Sequence, residues 1–436
     1  MNKILLTIFT ILSFSCSAKE DHPIAENNRV VEGAIPMSRS MLRPELKDKA
    51  REKEAYVLSF FKTPDQQLMP LGFFAMVEDI RNVENLRKIR SRGINIIQSY
   101  GRVRSFEKAL GNLEAARKAG IGVVQYLPGS YMERESPQWW QKRIRLIARD
   151  KQLMLWYLPE ESQPEDLKDL QMLAGIIRSQ DPYSRPLTTF VKSGQKIHWK
   201  NISKIVDAMI LGIYPCHIKN PAPRADIRRY IDFAYEQNVP LIFSALEAFK
   251  SEKRRNVWPT PKEVRFDAYL SLISGSKGLF WYGHTYLIKN PKLYAAVLQL
   301  ALELNGPTHL GEVFLLGQRA DSIECQLIRG SAYAPPACAY QKDWWKKEKY
   351  LYSSPQWLAL RHKKNIYIFA VNMNEKIGTA DHGGPDYAVT VQFKNLPETV
   401  KNVEVLFEDR QLAVEDHSFT DSFDPIGTHI YRLEIE

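Results

Sequence analysis

Read as a pattern of apolar and polar positions, the chain changes character near residue 310. Before that point, short apolar runs recur at Gly72–Val77, Ile94–Tyr100, Ile121–Leu127, Leu153–Leu158, Pro186–Val191, Ala208–Tyr214, Pro240–Leu246 and Lys277–Tyr282. Strands buried on both faces of a parallel sheet read this way, as near-continuous apolar runs without alternation. Between them lie stretches of helical length with apolar residues three and four apart: Val83–Ile89, Phe106–Lys118, Trp139–Arg149 and Leu167–Arg178. Gly93 and Gly120 stand at two of the junctions, where a left-handed glycine closes a helix. Leu298–Leu304 reads as a last helix, stopped by Asn305-Gly306-Pro307. Eight strand–helix units in succession predict an α/β fold, a (β/α)8 TIM barrel over residues 44–308. An open doubly wound sheet is the alternative, but no glycine-rich phosphate loop follows any of the runs.

After Gly306 the period becomes two. Ile323–Ile328, Ile366–Val371, Val389–Phe393, Val403–Phe407 and His429–Ile435 read as strands, separated by turn-rich stretches such as His382-Gly383-Gly384-Pro385. They predict an all-β sandwich domain over residues 311–436. At the other end, Lys3 precedes an apolar run, Ile4–Leu12, and then small residues through Ala18. This is the pattern of an export signal over residues 1–18, too short to span a bilayer. Cleavage after Ala18 is one outcome. The other is lipidation at Cys16, because Ser13-Phe14-Ser15-Cys16 resembles a loose bacterial lipobox. An exported protein, periplasmic or at the cell surface, is expected, and lipidation at Cys16, where that residue is retained, is the membrane attachment the sequence offers. Residues 19–43 are polar and irregular and read as a tether.

Composition adds little to the fold: 44% apolar and 25% charged residues are ordinary for a globular chain. The aromatic share of 11%, with nine Trp, is enough to line a sugar cleft. The formal net charge of +10 comes from scattered groups, among them Arg87, Lys88, Arg90 and Arg92, Arg143 and Arg145, and Lys253, Arg254 and Arg255. Such groups solvate helix faces, or in an exported protein attract an anionic polysaccharide. No basic–aromatic nucleic-acid module is visible. Of the cysteines, Cys325 and Cys338 could pair in an oxidising compartment, which leaves Cys216 free. No spacing suits zinc or an iron–sulfur cluster, and no metal or organic cofactor is expected.

Two carboxylates carry the chemistry. Glu161 follows the fourth apolar run, in Trp156-Tyr157-Leu158-Pro159-Glu160-Glu161, and Glu247 ends the seventh. In a (β/α)8 barrel, reactive side chains sit where the strands exit. Glycoside cleavage needs two carboxyl groups, one to protonate the leaving oxygen and one to attack the anomeric carbon or activate water. Glu161 is assigned as acid/base and Glu247 as nucleophile, with Glu160 the rival for Glu161. Substrate-binding candidates follow from the other strand ends: Tyr214 beside the nucleophile, Trp281 as a stacking face, Trp258 as an outer platform, and His284 or His217 for hydroxyls. Gln98, Tyr100, Gln125 and Tyr126 close the second and third strands. Trp344, Trp345, Tyr350, Tyr352 and Trp357, near Lys346, Lys347 and Lys349, read as a seam between the domains.

Trp156-Tyr157-Leu158-Pro159-Glu160-Glu161 resembles the strand-4 segment of clan A glycoside hydrolase-like barrels. Trp258–Arg265 followed by Ala268–Tyr282 is similar to their path from strand 7 into strand 8. The blocks Phe407–Arg410, Phe419–Phe423 and His429–Arg432 are similar to the β-sandwich appended to such barrels. The resemblance implies an acid/base on strand 4 and a nucleophile on strand 7, matching Glu161 and Glu247. One position departs: Glu160 stands where many members carry the Asn that contacts the sugar 2-hydroxyl. The expected function is retaining hydrolysis of a polysaccharide or oligosaccharide, including anionic ones. The alternatives are a non-catalytic glycan-binding lipoprotein on a barrel scaffold and a lyase acting on a uronic acid.

Overall fold

A computed structural model describes residues 31–37, 48–74, 81–98, 106–127, 135–192, 199–215, 223–250, 257–332, 352–377 and 379–435. Its strands in chain order are β1 (Val31–Pro36), then β2 (Leu71–Phe73), β3 (Ile96–Gln98), β4 (Gly122–Tyr126), β5 (Leu153–Tyr157), β6 (Leu187–Lys192), β7 (Ala208–Ile213), β8 (Ile242–Glu247) and β9 (Leu279–Tyr282). The remainder are β10 (Gln318–Arg319), β11 (Glu324–Gly330), β12 (Gln356–His362), β13 (Asn365–Val371), β14 (Val389–Lys394), β15 (Asn402–Val405), β16 (Arg410–Ala413), β17 (Phe419–Phe423) and β18 (Thr428–Glu434). Strands β2 to β9 pair in parallel, each with its sequence neighbour, and β9 returns to β2 to close the barrel. All eight apolar runs are barrel strands in the order expected. The helices Val83–Arg90 and Phe106–Ala119 lead into Gly93 and Gly120, both at positive φ, as the left-handed caps require.

Alternation along each strand sorts its side chains between two layers. Phe74, Ile96, Val124, Leu155, Tyr157, Phe190, Ile210, Phe243 and Phe280 fill the barrel interior. Their neighbours Phe73, Ile97, Val123, Trp156, Val191, Leu211, Ile242 and Trp281 face the surrounding helices. Phe190 fits because Gly212 on the neighbouring β7 lies against its ring: a Cβ there would come within 2.2 Å of it.

The tail forms two antiparallel sheets, β1-β11-β14-β17 and β10-β12-β13-β18-β15-β16. The expected tether is corrected in part: Val31–Pro36 pairs with β11 and becomes an edge strand of the sandwich. The sandwich also starts later than residue 311, because Leu310–Leu316 is a helix packed with the barrel. The six-stranded sheet is apolar on both faces. Trp357, Ala359, Ile366 and Ile368 face the sandwich core, while Leu358, Leu360, Tyr367 and Phe369 pack on the barrel helices. Phe369 lies 4.0 Å from Phe314 between ring centroids. Cys325 is a free thiol buried in the sandwich core, which corrects its expected pairing with Cys338; burial pushes its pKa up.

A buried polar cluster reinforces this seam. Arg224 donates to Glu263 and, at 2.6 Å, to Asp267, both on the helix Pro261–Ile273, and its backbone N–H donates to Glu375 from the sandwich side at 2.6 Å. Burial raises the Asp267 carboxyl to about 6 even though Arg224 opposes the shift. For Glu263, burial also acts upward, but Arg224, the Thr260 N–H and His382 outweigh it and the net shift is downward. Removing one partner strands buried charge, so Arg224→Ala is expected to lower the unfolding free energy by about 3–5 kcal/mol. Urea unfolding checks this; an unchanged midpoint would make the cluster energetically idle. Tyr352 also joins the seam: its hydroxyl donates to Asp232 at 2.6 Å, and Arg228 and Arg229 flank its ring. Trp357 does not, since it packs on Phe393 inside the sandwich. Trp344, Trp345, Tyr350 and their lysines lie outside the described residues.

Candidate active site

The C-terminal ends of the strands bring three carboxylates to the barrel mouth. Glu247 is the last residue of β8 and, by parity with Phe243 and Ala245, points inward; it is 2% exposed. Its register partner is Tyr282 at the end of β9. Glu160 and Glu161 follow β5. Glu160 turns back over the barrel interior, where the inward Tyr157 donates its hydroxyl to Glu160 Oε2 at 3.0 Å. Glu161 has left strand geometry, with φ of 53°. Its N–H donates to Phe190 O at 3.0 Å, and its carboxylate pairs with Lys192, the last residue of β6. That pair stands at the rim, with the Glu161 side chain 34% exposed.

Aromatic rings line the floor. Tyr126 lies 5.2 Å from Tyr157, Phe74 lies 5.8 Å from Tyr157 and 6.3 Å from Tyr282, and Tyr214 lies 5.9 Å from Tyr282. Phe249 closes this side, 5.4 Å from Tyr214 and 5.3 Å from Tyr282. Electrostatics tie the carboxylates to the same floor. Burial first, then Tyr282 and then Glu247, Glu160 and Glu161 push the Tyr214 phenol well above its ordinary pKa. Tyr282 is raised to about 12, by burial first, then Glu160, Tyr286 and Glu161. Glu160 acts on both phenols more strongly than Glu161 does. Both tyrosines therefore stay protonated and can donate hydrogen bonds to a carboxylate or a sugar oxygen.

The raised Tyr282 has a pH consequence. A folded-state pKa above the unfolded value contributes stability that is complete below about pH 10 and is lost as pH rises through about 12. At about pH 10.5 an ordinary phenol is mostly ionised. Ultraviolet difference spectra of wild type and Tyr282→Phe are expected to show no missing tyrosinate at that pH; loss of a full tyrosinate signal would contradict the enclosure of this ring.

The other sequence candidates divide. Tyr214 and Tyr126 are at the mouth. Trp281 is not: it is outward on β9, buried beside Phe73 at 6.1 Å in the strand–helix layer. The inward residue is its neighbour Tyr282, so the ring that β9 turns to the mouth is that of Tyr282 and not of Trp281. His284 is buried against Phe73 at 4.7 Å and Tyr294 at 5.6 Å, in the same outer layer, which corrects its expected contact with hydroxyls. Trp258 is half-buried against that layer as well. Gln98 is buried and inward by parity with Ile96, whereas Gln125 shares the outward parity of Val123. Tyr100 and His217 lie outside the described residues. Strand runs alone did not single out Tyr157, Lys192, Tyr282, Phe249 or Tyr286. Tyr286 stands 52% exposed four residues beyond Tyr282, whose pKa it raises, and so belongs to the rim.

Some of the basic residues are accounted for elsewhere. Arg87 and Arg90 donate to Lys118 O and Gly120 O, at the helix ends opposite the mouth. Among the described residues there is no cluster of His, Cys, Asp and Glu that could hold a metal, and no helix long and apolar enough to cross a membrane.

No protein-family model matches the sequence, and no curated protein does either. Solved structures do match, at low identity. A glycoside hydrolase family 5 protein from Bacteroides vulgatus superposes with a TM-score of 0.52 at 12% identity, over 85% of this chain and 89% of that one. An α-amylase from Geobacillus thermoleovorans, complexed with acarbose, gives 0.50 at 11%, over 84% and 98%. A glycoside hydrolase family 27 β-L-arabinopyranosidase from Geobacillus stearothermophilus, in complex with arabinose, gives 0.50 at 11%, over 87% and 99%. The fold is thus the (β/α)8 barrel with C-terminal β-sheets that clan A glycoside hydrolases use. At this identity the likeness establishes architecture alone.

Proposed function

We propose that this protein is a retaining glycoside hydrolase acting on a polysaccharide or oligosaccharide. The observation that supports the reading is two strand-end carboxylates on one aromatic floor: Tyr157 donates to Glu160, Glu247 is in register with Tyr282, and Phe74 lies between Tyr157 and Tyr282. Two carboxyl groups from the fourth and seventh strands are what glycoside cleavage needs, and the retaining reading expects them about 5–5.5 Å apart. Saccharides held by neighbours of the same fold support a sugar as the substrate.

In this mechanism Glu247 attacks the anomeric carbon as the leaving oxygen takes a proton from a strand-4 carboxyl. The same carboxylate then removes a proton from the water that releases the glycosyl enzyme. We place this acid/base role on Glu160 rather than on Glu161. Glu160 is held over the floor by Tyr157, whereas Glu161 is engaged by Lys192 at the rim. Tyr214 and Tyr282 donate to the Glu247 carboxylate or the sugar, and Tyr286 offers a stacking face to the next sugar unit. Export through residues 1–18 and anchoring at Cys16 belong to the proposal and rest on the signal-like pattern there.

The test is a panel of nitrophenyl glycosides and soluble polysaccharides assayed for new reducing ends, with the anomer formed first read by proton NMR. Release with net retention supports the proposal. Release with inversion overturns double displacement, and an unsaturated, ultraviolet-absorbing product indicates a lyase. Binding without any release would leave a glycan-binding protein.

A further inference from the structure

Away from the barrel mouth, a cavity of about 280 Å³ lies between the helix Pro261–Ile273 and the sandwich, lined by Lys262, Arg265, Ser422, Asp424, Thr428 and His429 among others. Its walls are preorganised. Arg265 is held by an ion pair to Glu303 and lies over the Tyr269 ring at 4.9 Å. His429 is held by Glu408 at 2.5 Å. Lys262 has no ion-pair partner among the described residues and is exposed, and Thr428 Oγ1 is buried with no hydrogen-bond partner there.

The turn after β15 leads up to this cavity. Phe407 is 42% exposed and sits at φ of 69°, in the left-handed region. Two contacts fix it beside the cavity: Arg265 lies 5.5 Å from the Phe407 ring centre, and the adjacent Glu408 holds His429. Phe407 lies in the hairpin turn that joins β15 to β16, where positive φ is ordinary, and the turn leaves its ring open to solvent beside the cavity.

We propose that this cavity is a second saccharide-binding site, independent of the barrel carboxylates. Lys262 and Arg265 on the helix side face Asp424 and Ser422 on the sandwich side, and donors opposite an acceptor match adjacent sugar hydroxyls, which both donate and accept. Phe407 supplies the apolar face on which a sugar's C–H groups stack. Asp424 in the wall, and the pairing of Arg265 and His429 with carboxylates, disfavour a simple anion. The volume lies near the lower end of ligand pockets, roughly 300–1,000 Å³, and suits one sugar unit at a chain end or branch.

The test uses the full chain carrying Glu247→Gln, run on native gels cast with soluble starch, galactomannan, xylan or polygalacturonate. Retardation by at least one polysaccharide is expected, with Lys262→Ala or Phe407→Ala weakening the apparent affinity about tenfold, equivalent to about 1.4 kcal/mol. In the parent chain the same two substitutions leave turnover of small aryl glycosides unchanged. Equal retardation of all variants, retardation by none of the polysaccharides, or relief by inorganic phosphate but not by free sugar would overturn the site. A protein that cleaves nothing, yet loses retardation in these variants, would sink the hydrolase reading and keep this one.

Discussion

Glu247→Gln is expected to lower kcat/KM on any glycoside the protein cleaves by about 10⁴-fold or more, with the fold intact. The amide keeps the shape of the side chain but cannot form the ester that double displacement passes through. The position makes the control clean. Glu247 is a carboxylate 2% exposed at the end of a barrel strand, and glutamine keeps its shape and one carbonyl oxygen to accept hydrogen bonds. Thermal unfolding of Glu247→Gln is therefore expected near the wild-type midpoint. Activity lost together with a lowered midpoint would assign Glu247 to structure. In Glu247→Ala, azide should restore cleavage of an activated aryl glycoside and give the glycosyl azide of inverted configuration.

The second large effect separates two adjacent residues. Glu160→Gln is expected to lower kcat/KM by about 10²–10⁴-fold on substrates with poor leaving groups, the usual worth of a general acid. The loss should shrink for a dinitrophenyl glycoside, whose leaving group needs no proton, and the alkaline limb of the pH–rate profile should disappear. Glu161→Gln should cost far less and keep that limb, because its carboxylate is engaged with Lys192 at the rim. The reverse ranking would return the acid/base role to Glu161. Equal, modest losses would remove the strand-4 carboxyls from proton transfer.

The barrel was legible because buried parallel strands write themselves as short apolar runs. Leu153–Leu158 and Pro240–Leu246 could be counted without knowing what packs around them. The direction of each side chain was harder to read. Trp281 and Tyr282 differ by one position, and with a period of two that difference exchanges the helix layer for the barrel mouth. Beyond a strand end even parity fails: Glu161 sits at positive φ, so only the folded chain shows that Glu160 returns to the floor while Glu161 goes to the rim. Val31–Pro36 was illegible for another reason. A lone segment containing Gly and Pro has no strand pattern of its own and becomes a strand only because β11 offers an edge. Strand β12 escaped notice because both of its faces are apolar, one towards the sandwich and one towards the barrel.

The most direct test of the central claim, that Glu247 is the nucleophile of a retaining glycosidase, is covalent trapping. The protein would be treated with the 2-deoxy-2-fluoroglycosyl fluoride of the sugar it cleaves, digested, and mapped by mass spectrometry. One glycosyl unit on the peptide containing Glu247, absent in Glu247→Gln, is the predicted result. A label on another residue, or no label on a protein that turns over its substrate with inversion, would contradict it.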